Sequence, residues 1–136
     1  MTKNWKETAR ATLEGSENDT MTFPEGVKML MKDGFDGYAV DFRRGTRTYY
    51  LADGDALELK TAPVSVSVTE RFDTAAVKDA IREAQQMVPG YSYKKFCAKV
   101  MDAGCAGYLV SLLGKRVVYY GRTGEIHTEY FPGSKP

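Results

Sequence analysis

The first half of the chain changes its hydrophobic period from helical to strand-like. Apolar residues recur every three or four positions up to Met31 and every second position after Gly37. These two periods are typical of amphipathic helices and of half-buried strands. The pattern therefore predicts two helices and three strands, over 3–13, 23–33, 38–43, 47–51 and 56–60. A capping-box pattern at Thr22 and Glu25 marks the start of the second helix, and Gly34 marks its end.

The second half follows the same order. Helices are predicted over 73–88 and from Ser92 to Gly104, and strands over 108–113, 116–120 and 125–131. The valines at 64, 66 and 68 alternate with serines, which predicts that the third strand continues or resumes after Pro63. Pro132, Gly133 and Pro136 predict a loose C-terminal tail.

The two halves also share residues when the chain is shifted by 70 positions. Seven identities fall between positions 34 and 55, three of them glycines, where chance would give one or two. We therefore expect a duplicated ααβββ unit, with repeats at about 1–68 and 71–132 of one domain. The predicted fold class is α+β, with the halves related by a pseudo-twofold axis and an antiparallel sheet covered by helices. The alternative is two three-stranded sheets that share one core through their helices.

Composition narrows the class of protein. The 136 residues carry a net charge of +1 with 27% charged residues, an ordinary globular balance that argues against polyanion binding. The longest apolar runs are too short to cross a membrane and the N-terminus is polar, so we expect a cytoplasmic protein without a signal peptide. Cys97 and Cys105 do not have a zinc or redox spacing. We expect both to be small buried residues, with a reactive thiol at Cys105 as the alternative.

The most specific stretch runs from Gly104 to Pro132. The segments Gly104–Tyr108, Tyr119–Gly124 and Glu125–Pro132, together with Tyr49–Gly54 of the first half, resemble the YdfO-like family. That bacterial family is a domain of unknown function that is sometimes labelled a phage envelope protein, a label that comes from prophage association. The resemblance covers nearly the whole chain and implies a single α+β domain. It implies no activity, cofactor or catalytic residue.

A candidate site emerges where the halves differ. The third strand has Leu57 and Leu59 in the first half but His127 and Glu129 in the second. Since alternate strand residues share a face, these two and Glu125 should line up where the leucines are buried.

Arg122 precedes this strand, and Tyr120 lies in the strand before it. The candidate ligand-binding residues are therefore Tyr120, Arg122, Glu125, His127 and Glu129. Buried polar groups of this kind need partners.

Several interpretations of this set stay open. The group could bind a small ligand, with Arg122 holding an anion, or His127 and Glu129 could transfer protons. A one-residue slip of the strand would instead turn His127 and both glutamates to water and place Ile126, Thr128 and Tyr130 inside. A metal site is disfavoured because one strand supplies two or three ligands and the chain has a single histidine.

The remaining motifs add little chemistry. The strand tyrosines are explained by core and cross-strand packing, and the hairpin residues Arg43, Arg44, Arg47, Lys115, Arg116 and Arg122 by solvated edges. The balanced charge argues against nucleic-acid binding, and no phosphate loop is present. We therefore expect a binding or interaction protein without a cofactor. Its candidate partners are a second copy paired through edge strands, a small ligand or another protein. The alternative is an enzyme that uses His127 with Glu129 or Glu125 and Arg122.

Overall fold

Four side chains decide where the helices begin. Asn4, Thr22, Asp73 and Ser92 each accept a hydrogen bond from a backbone N–H of the first turn, and Thr22 and Glu25 form the predicted capping box. The computed structural model describes residues 4–132, so most of the predicted C-terminal tail lies outside the described residues. Its helices are α1 Trp5–Glu17, α2 Phe23–Lys32, α3 Thr74–Gln86 and α4 Tyr93–Asp102. Its strands are β1 Phe35–Asp41, β2 Thr46–Leu51, β3 Ala56–Lys60, β4 Cys105–Ser111, β5 Arg116–Gly121 and β6 Ile126–Tyr130.

The strands form one antiparallel sheet in the order β3-β2-β1-β4-β5-β6. The predicted α+β class is confirmed, and the alternative of two separate three-stranded sheets is wrong. β1 and β4 pair at the centre through Gly37↔Ser111, Ala39↔Leu109 and Asp41↔Gly107. A Cβ at Gly37 or Gly107 would collide with the carbonyl oxygen of Val110 or Val40 across this pair. Gly37 and Gly107, one of the shared glycine pairs, are therefore required by close packing of the central strands.

Strand register is the same in both halves at an offset of 70 positions. Thr46 pairs with Lys60 as Arg116 pairs with Tyr130, and both inner hairpins have an irregularity after their first pair. The pairing of β1 with β4 is also symmetric. When each residue is replaced by its counterpart 70 positions away, Gly37↔Ser111 becomes Asp41↔Gly107, and the central pair Ala39↔Leu109 is unchanged. A common origin of the halves stays a prediction.

The helices cover one face of the sheet. The core contains one alternate set of strand residues, including Tyr38, Val40, Tyr108 and Val110, together with helix residues such as Val77 and Val100. Most of the other set is exposed or half-buried, with Gly37, Thr46 and Gly107 as buried exceptions. This one-sided pattern is common in antiparallel sheets.

Several elements differ from their predictions. β1 and β4 begin at Phe35 and Cys105, three residues before the predicted starts at 38 and 108. α1 continues to Glu17, so the first four residues of the loop predicted over 14–22 are helical. Residues 61–73 form no strand, because this connection bonds to the end of α4 instead of to a neighbouring strand. Thr69 N–H donates to the Met101 carbonyl, and the predicted strand residue Val68 packs with Met101 and Ala106. None of the helices within residues 4–132 is both long and apolar enough to cross a membrane.

Candidate functional site

His127 and Glu129 lie together on the helix-covered face of β6. His127 pairs with the buried Tyr119 across β5 and β6, and the two rings stack at a centroid distance of 6.5 Å. The imidazole Nε2 and the Glu129 Oε2 are 2.6 Å apart, so the ring N–H donates to the carboxylate in one tautomer. Only 15% of the His127 side chain is exposed.

The register of β6 matches that of β3. Leu57 pairs with Tyr49 as His127 pairs with Tyr119. Ile126 is 61% exposed, so the interpretation with a one-residue slip is wrong. Whether this face binds a ligand stays a prediction.

The other three predicted site residues lie elsewhere. Glu125 is exposed and accepts from the Thr123 hydroxyl at 2.7 Å. The Arg122 guanidinium donates to the Val68 carbonyl at 3.2 Å, which ties the hairpin to residues 61–73. Tyr120 follows the inward Tyr119 and therefore lies on the opposite face, where it packs against the Val68 cluster.

The cavities and cysteines contribute no second site. Two surface cavities, of about 170 and 450 Å³, are lined by residues of α3, α4 and the loop between them and by residues around α2. Neither is lined by His127 or Glu129. Both cysteines are buried, and burial raises the pKa of the Cys97 thiol to about 12 and that of Cys105 to about 11. These thiols are therefore unreactive near neutral pH. Within residues 4–132 no three His, Cys, Asp or Glu side chains are grouped to hold a metal ion.

A second polar group lies in the core itself. Arg47 of β2, predicted to lie at a solvated hairpin edge, is 2% exposed, which corrects that prediction. Its side chain is inward because Arg47 alternates with Thr46 and Thr48 and shares a face with Tyr49. Its Nη1 donates to the Tyr49 hydroxyl at 3.2 Å and to the Ser16 hydroxyl at 3.3 Å.

Aromatic residues complete the surroundings of Arg47. Nη2 donates to the Tyr93 hydroxyl at 3.0 Å, and the guanidinium lies 4.7 Å from the ring centre of Tyr38 and 5.5 Å from that of Tyr93. The Tyr93 and Tyr108 hydroxyls are 2.6 Å apart. No carboxylate oxygen of the described residues lies within 4 Å of this guanidinium, and its Nε–H has no partner.

The electrostatics of this cluster follow from burial and from the tyrosines. Burial alone would lower the pKa of Arg47, but the surrounding tyrosine oxygens outweigh it and raise that pKa above its ordinary value. Burial raises the pKa of Tyr38 to about 12 and also raises those of Tyr93 and Tyr108. At neutral pH the cluster is therefore a cation among neutral hydroxyls.

A comparison of the halves could have found Arg47. The matching residue in β5 is Val117, so the position is charged in one half and apolar in the other. Tyr93, which accepts from Arg47, matches Phe23 in the same way. The same difference between the halves identifies His127 and Glu129. Arg47 was predicted to be solvated instead, because it lies two positions after a hairpin turn, where arginines are usually solvated.

The model of the family DUF1398, described as a protein of unknown function, matches residues 7–129. The chain belongs to this family. The match agrees with a resemblance to an uncharacterised family over nearly the whole chain, while the YdfO-like designation stays a prediction. A comparison with curated proteins finds no match to the chain.

Proposed function

We propose that this protein is a non-catalytic binding protein that associates with a second copy of itself through the side of its sheet opposite the helices. We call this side the open face and define it by Thr48, Ala39, Leu109, Val118 and Thr128, with Tyr50 and Ile126 beside them. The five central residues are consecutive cross-strand neighbours from β2 to β6, and none is charged. This uncharged row carries the proposal, because an exposed face of this composition is typical of an interaction surface.

Exposure supports the same proposal. Leu109, at the centre of the row, is 42% exposed, as is Tyr50, and Ile126 is 61% exposed. An antiparallel sheet that faces only water normally carries polar residues on its outer side. The apolar residues of the open face are therefore better explained by a partner.

Charge favours a second copy as that partner. The outward strand residues of the first half include Asp41, Glu58 and Lys60, and those of the second half include Arg116. These strand residues sum to one negative charge in the first half, where Glu58 also pairs with Arg44, and to one positive charge in the second. A twofold arrangement that lays the first half on the partner's second half therefore brings strands of opposite net charge together twice. Six strands at ordinary spacing give about 500 Å² of flat area per copy, which is small for a permanent dimer. We therefore expect a reversible dimer.

Sedimentation velocity over a range of protein concentrations tests this proposal. The wild type should shift from monomer to dimer at micromolar to high-micromolar concentration, and Leu109→Glu should stay monomeric because it places a charge on the twofold centre. Leu113→Glu is the control, since Leu113 lies in the turn after β4 and is 77% exposed. It should dimerise like the wild type.

Circular dichroism shows whether Leu109→Glu is folded, and Thr48→Arg provides a second charged variant of the same row. A wild type that is monomeric at every concentration overturns the proposal, and so does a folded Leu109→Glu that dimerises normally.

A second candidate function is favoured by the 2.6 Å contact between His127 and Glu129. A carboxylate at that distance would hold one imidazole tautomer, which suits proton transfer or the binding of a small ligand. Nitrogen NMR of the His127 ring, which reports its tautomer, tests this in the wild type and in Glu129→Gln. The same mixture of tautomers in both proteins would contradict it.

A further inference from the structure

Arg47 is a permanent cation in the core without a counter-ion. A guanidinium keeps its proton at any pH that the fold survives. Transferring such a charge from water to the interior costs several kcal/mol unless an opposite charge and a full set of hydrogen bonds compensate for it. Neutral hydroxyls and ring faces supply part of that compensation here, and the Nε–H is the one buried side-chain N or O of residues 4–132 without a partner.

The fold does not need a cation at this place. Val117 occupies the same register in β5, and Phe23 stands where Tyr93 stands. Arg47 of the first half and the Tyr93 hydroxyl of the second half thus form a polar contact between the halves, and the equivalent residues Val117 and Phe23 have neither the charge nor the hydroxyl. A purely structural arginine would not explain why the equivalent position packs well as valine.

The cluster lies behind the seam between the end of α1 and the start of α4. Ser16 and Tyr93, which both contact the guanidinium, are half-buried and form the outer wall. At the same seam the Asp19 carboxylate accepts from the Tyr93 backbone N–H at 2.9 Å. A carboxylate is therefore already bound at the first turn of α4, next to the wall that covers Arg47.

We propose that Arg47 is the anchor of an internal binding site for a small organic carboxylate that enters between α1 and α4. The ligand would accept from the free Nε–H and from an adjacent Nη–H, the planar geometry in which guanidinium binds carboxylate in a bidentate way. The rings of Tyr38 and Tyr93 would contact its apolar part, and rotation of Tyr93 would open the wall. Binding would supply the missing counter-charge and hydrogen-bond acceptor together.

Thermal unfolding in the presence of acetate and benzoate tests the proposal, with sodium chloride at equal ionic strength as the reference. The wild type should gain several degrees with benzoate at millimolar concentration, because a ligand that binds only the folded state stabilises it. Arg47→Met should lose this gain, and Tyr93→Phe, which copies the residue of the other half, should reduce it. Arg82→Met is the matched control, since Arg82 is 59% exposed on α3, and it should respond like the wild type.

Arginine side-chain NMR provides a readout that does not depend on the stability of the variants. The Nε–H signal of Arg47 should shift on adding carboxylate, while that of Arg82 stays in place. The proposal is overturned if the Nε–H signal does not move, or if Arg47→Met gains as much stability as the wild type. A response to inorganic phosphate but to neither carboxylate overturns the proposed ligand class.

Discussion

At the residue scale, substitutions of Arg47 distinguish the contribution of its charge to stability from the contribution of its volume. A buried ion is commonly replaced by an apolar side chain of similar size without loss of stability, whereas a truncation leaves a cavity. We expect Arg47→Met to change the free energy of unfolding by less than about 1 kcal/mol, or to raise it. Arg47→Ala should lower it by about 2–4 kcal/mol.

Urea unfolding of both variants measures the difference. Equal, large losses in the two variants would mean that the charge itself stabilises the folded state. The tyrosine hydroxyls would then have to be counted as a sufficient counter-charge.

Gly34 and Gly104 give a matched pair at the same scale. They occupy equivalent positions after α2 and α4, with φ of 82° and 93°. A Cβ at Gly34 meets open space, but at Gly104 it would collide with the backbone of Arg71 and Phe72. Gly34→Ala should therefore cost about 1 kcal/mol of unfolding free energy, from the backbone conformation alone.

Gly104→Ala should lower the free energy of unfolding by several kcal/mol or prevent folding, because the neighbouring backbone cannot move aside without breaking its own contacts. Chemical unfolding and expression yield compare the two variants. Similar small losses at both positions would contradict the close packing of residues 71–72 on the start of β4.

At the scale of elements, β3 and β6 carry different side chains on one scaffold. Leu57 and Leu59 pack against the core, and His127 and Glu129 occupy the same register in β6. Replacing both with leucine buries more apolar area and removes a half-buried carboxylate. The double variant His127→Leu/Glu129→Leu should therefore raise the free energy of unfolding by about 1–2 kcal/mol.

The opposite exchange, Leu57→His/Leu59→Glu, is the control and should destabilise the protein. Urea unfolding of the two double variants compares them. If the leucines in β6 lower stability instead, the polar pair is needed for folding, and the argument for a ligand or proton-transfer site there loses its basis.

The same elements show how far the sequence leads. Caps and apolar stripes are local, so the caps Thr22, Asp73 and Ser92 are confirmed where the pattern predicts them. The first helix was predicted from its apolar stripe alone, and its cap, Asn4, lies inside the predicted range of 3–13. The last turn of α1 is polar on most sides, and the pattern could not reveal that Gly15 and its neighbours continue the helix. Residues 64–68 alternate like a strand, but their hydrogen-bond partner is α4, which a local pattern cannot show.

At the scale of the whole molecule, the pairing of β1 with β4 decides whether the strands form one sheet or two. This contact joins residues about 70 positions apart, so periodicity predicts the hairpins on either side but not whether one sheet or two result. The inward direction of His127 followed from register within a repeat. The burial of Arg47 depended on which helix seam covers β2, where Ser16 and Tyr93 meet, and this is a tertiary property.

The buried ionisable groups also set how the whole molecule responds to alkali. Burial raises the pKa of Tyr38 from 10.0 to about 12 and raises those of Tyr93, Tyr108 and Tyr119 as well. Below about pH 7 these groups and the cysteines are protonated in both states, so their contribution to stability does not change. Above the ordinary pKa values, the unfolded chain releases protons that the folded protein retains, and stability falls as pH rises.

Each such tyrosine lowers the free energy of unfolding by about 1.4 kcal/mol per pH unit once the unfolded form is ionised. Four together remove about 5–6 kcal/mol per unit, which is comparable to the whole stability of a small domain. We therefore expect cooperative unfolding between about pH 10 and pH 12, with tyrosinate absorbance and circular dichroism changing together. Tyr38→Phe removes one group and should make the stability less steeply dependent on pH by about 1.4 kcal/mol per unit. Tyrosinate absorbance could instead rise fully near pH 10 while the circular dichroism stays native. The hydroxyls around Arg47 would then have to be accessible to water, and water and ions would solvate the guanidinium.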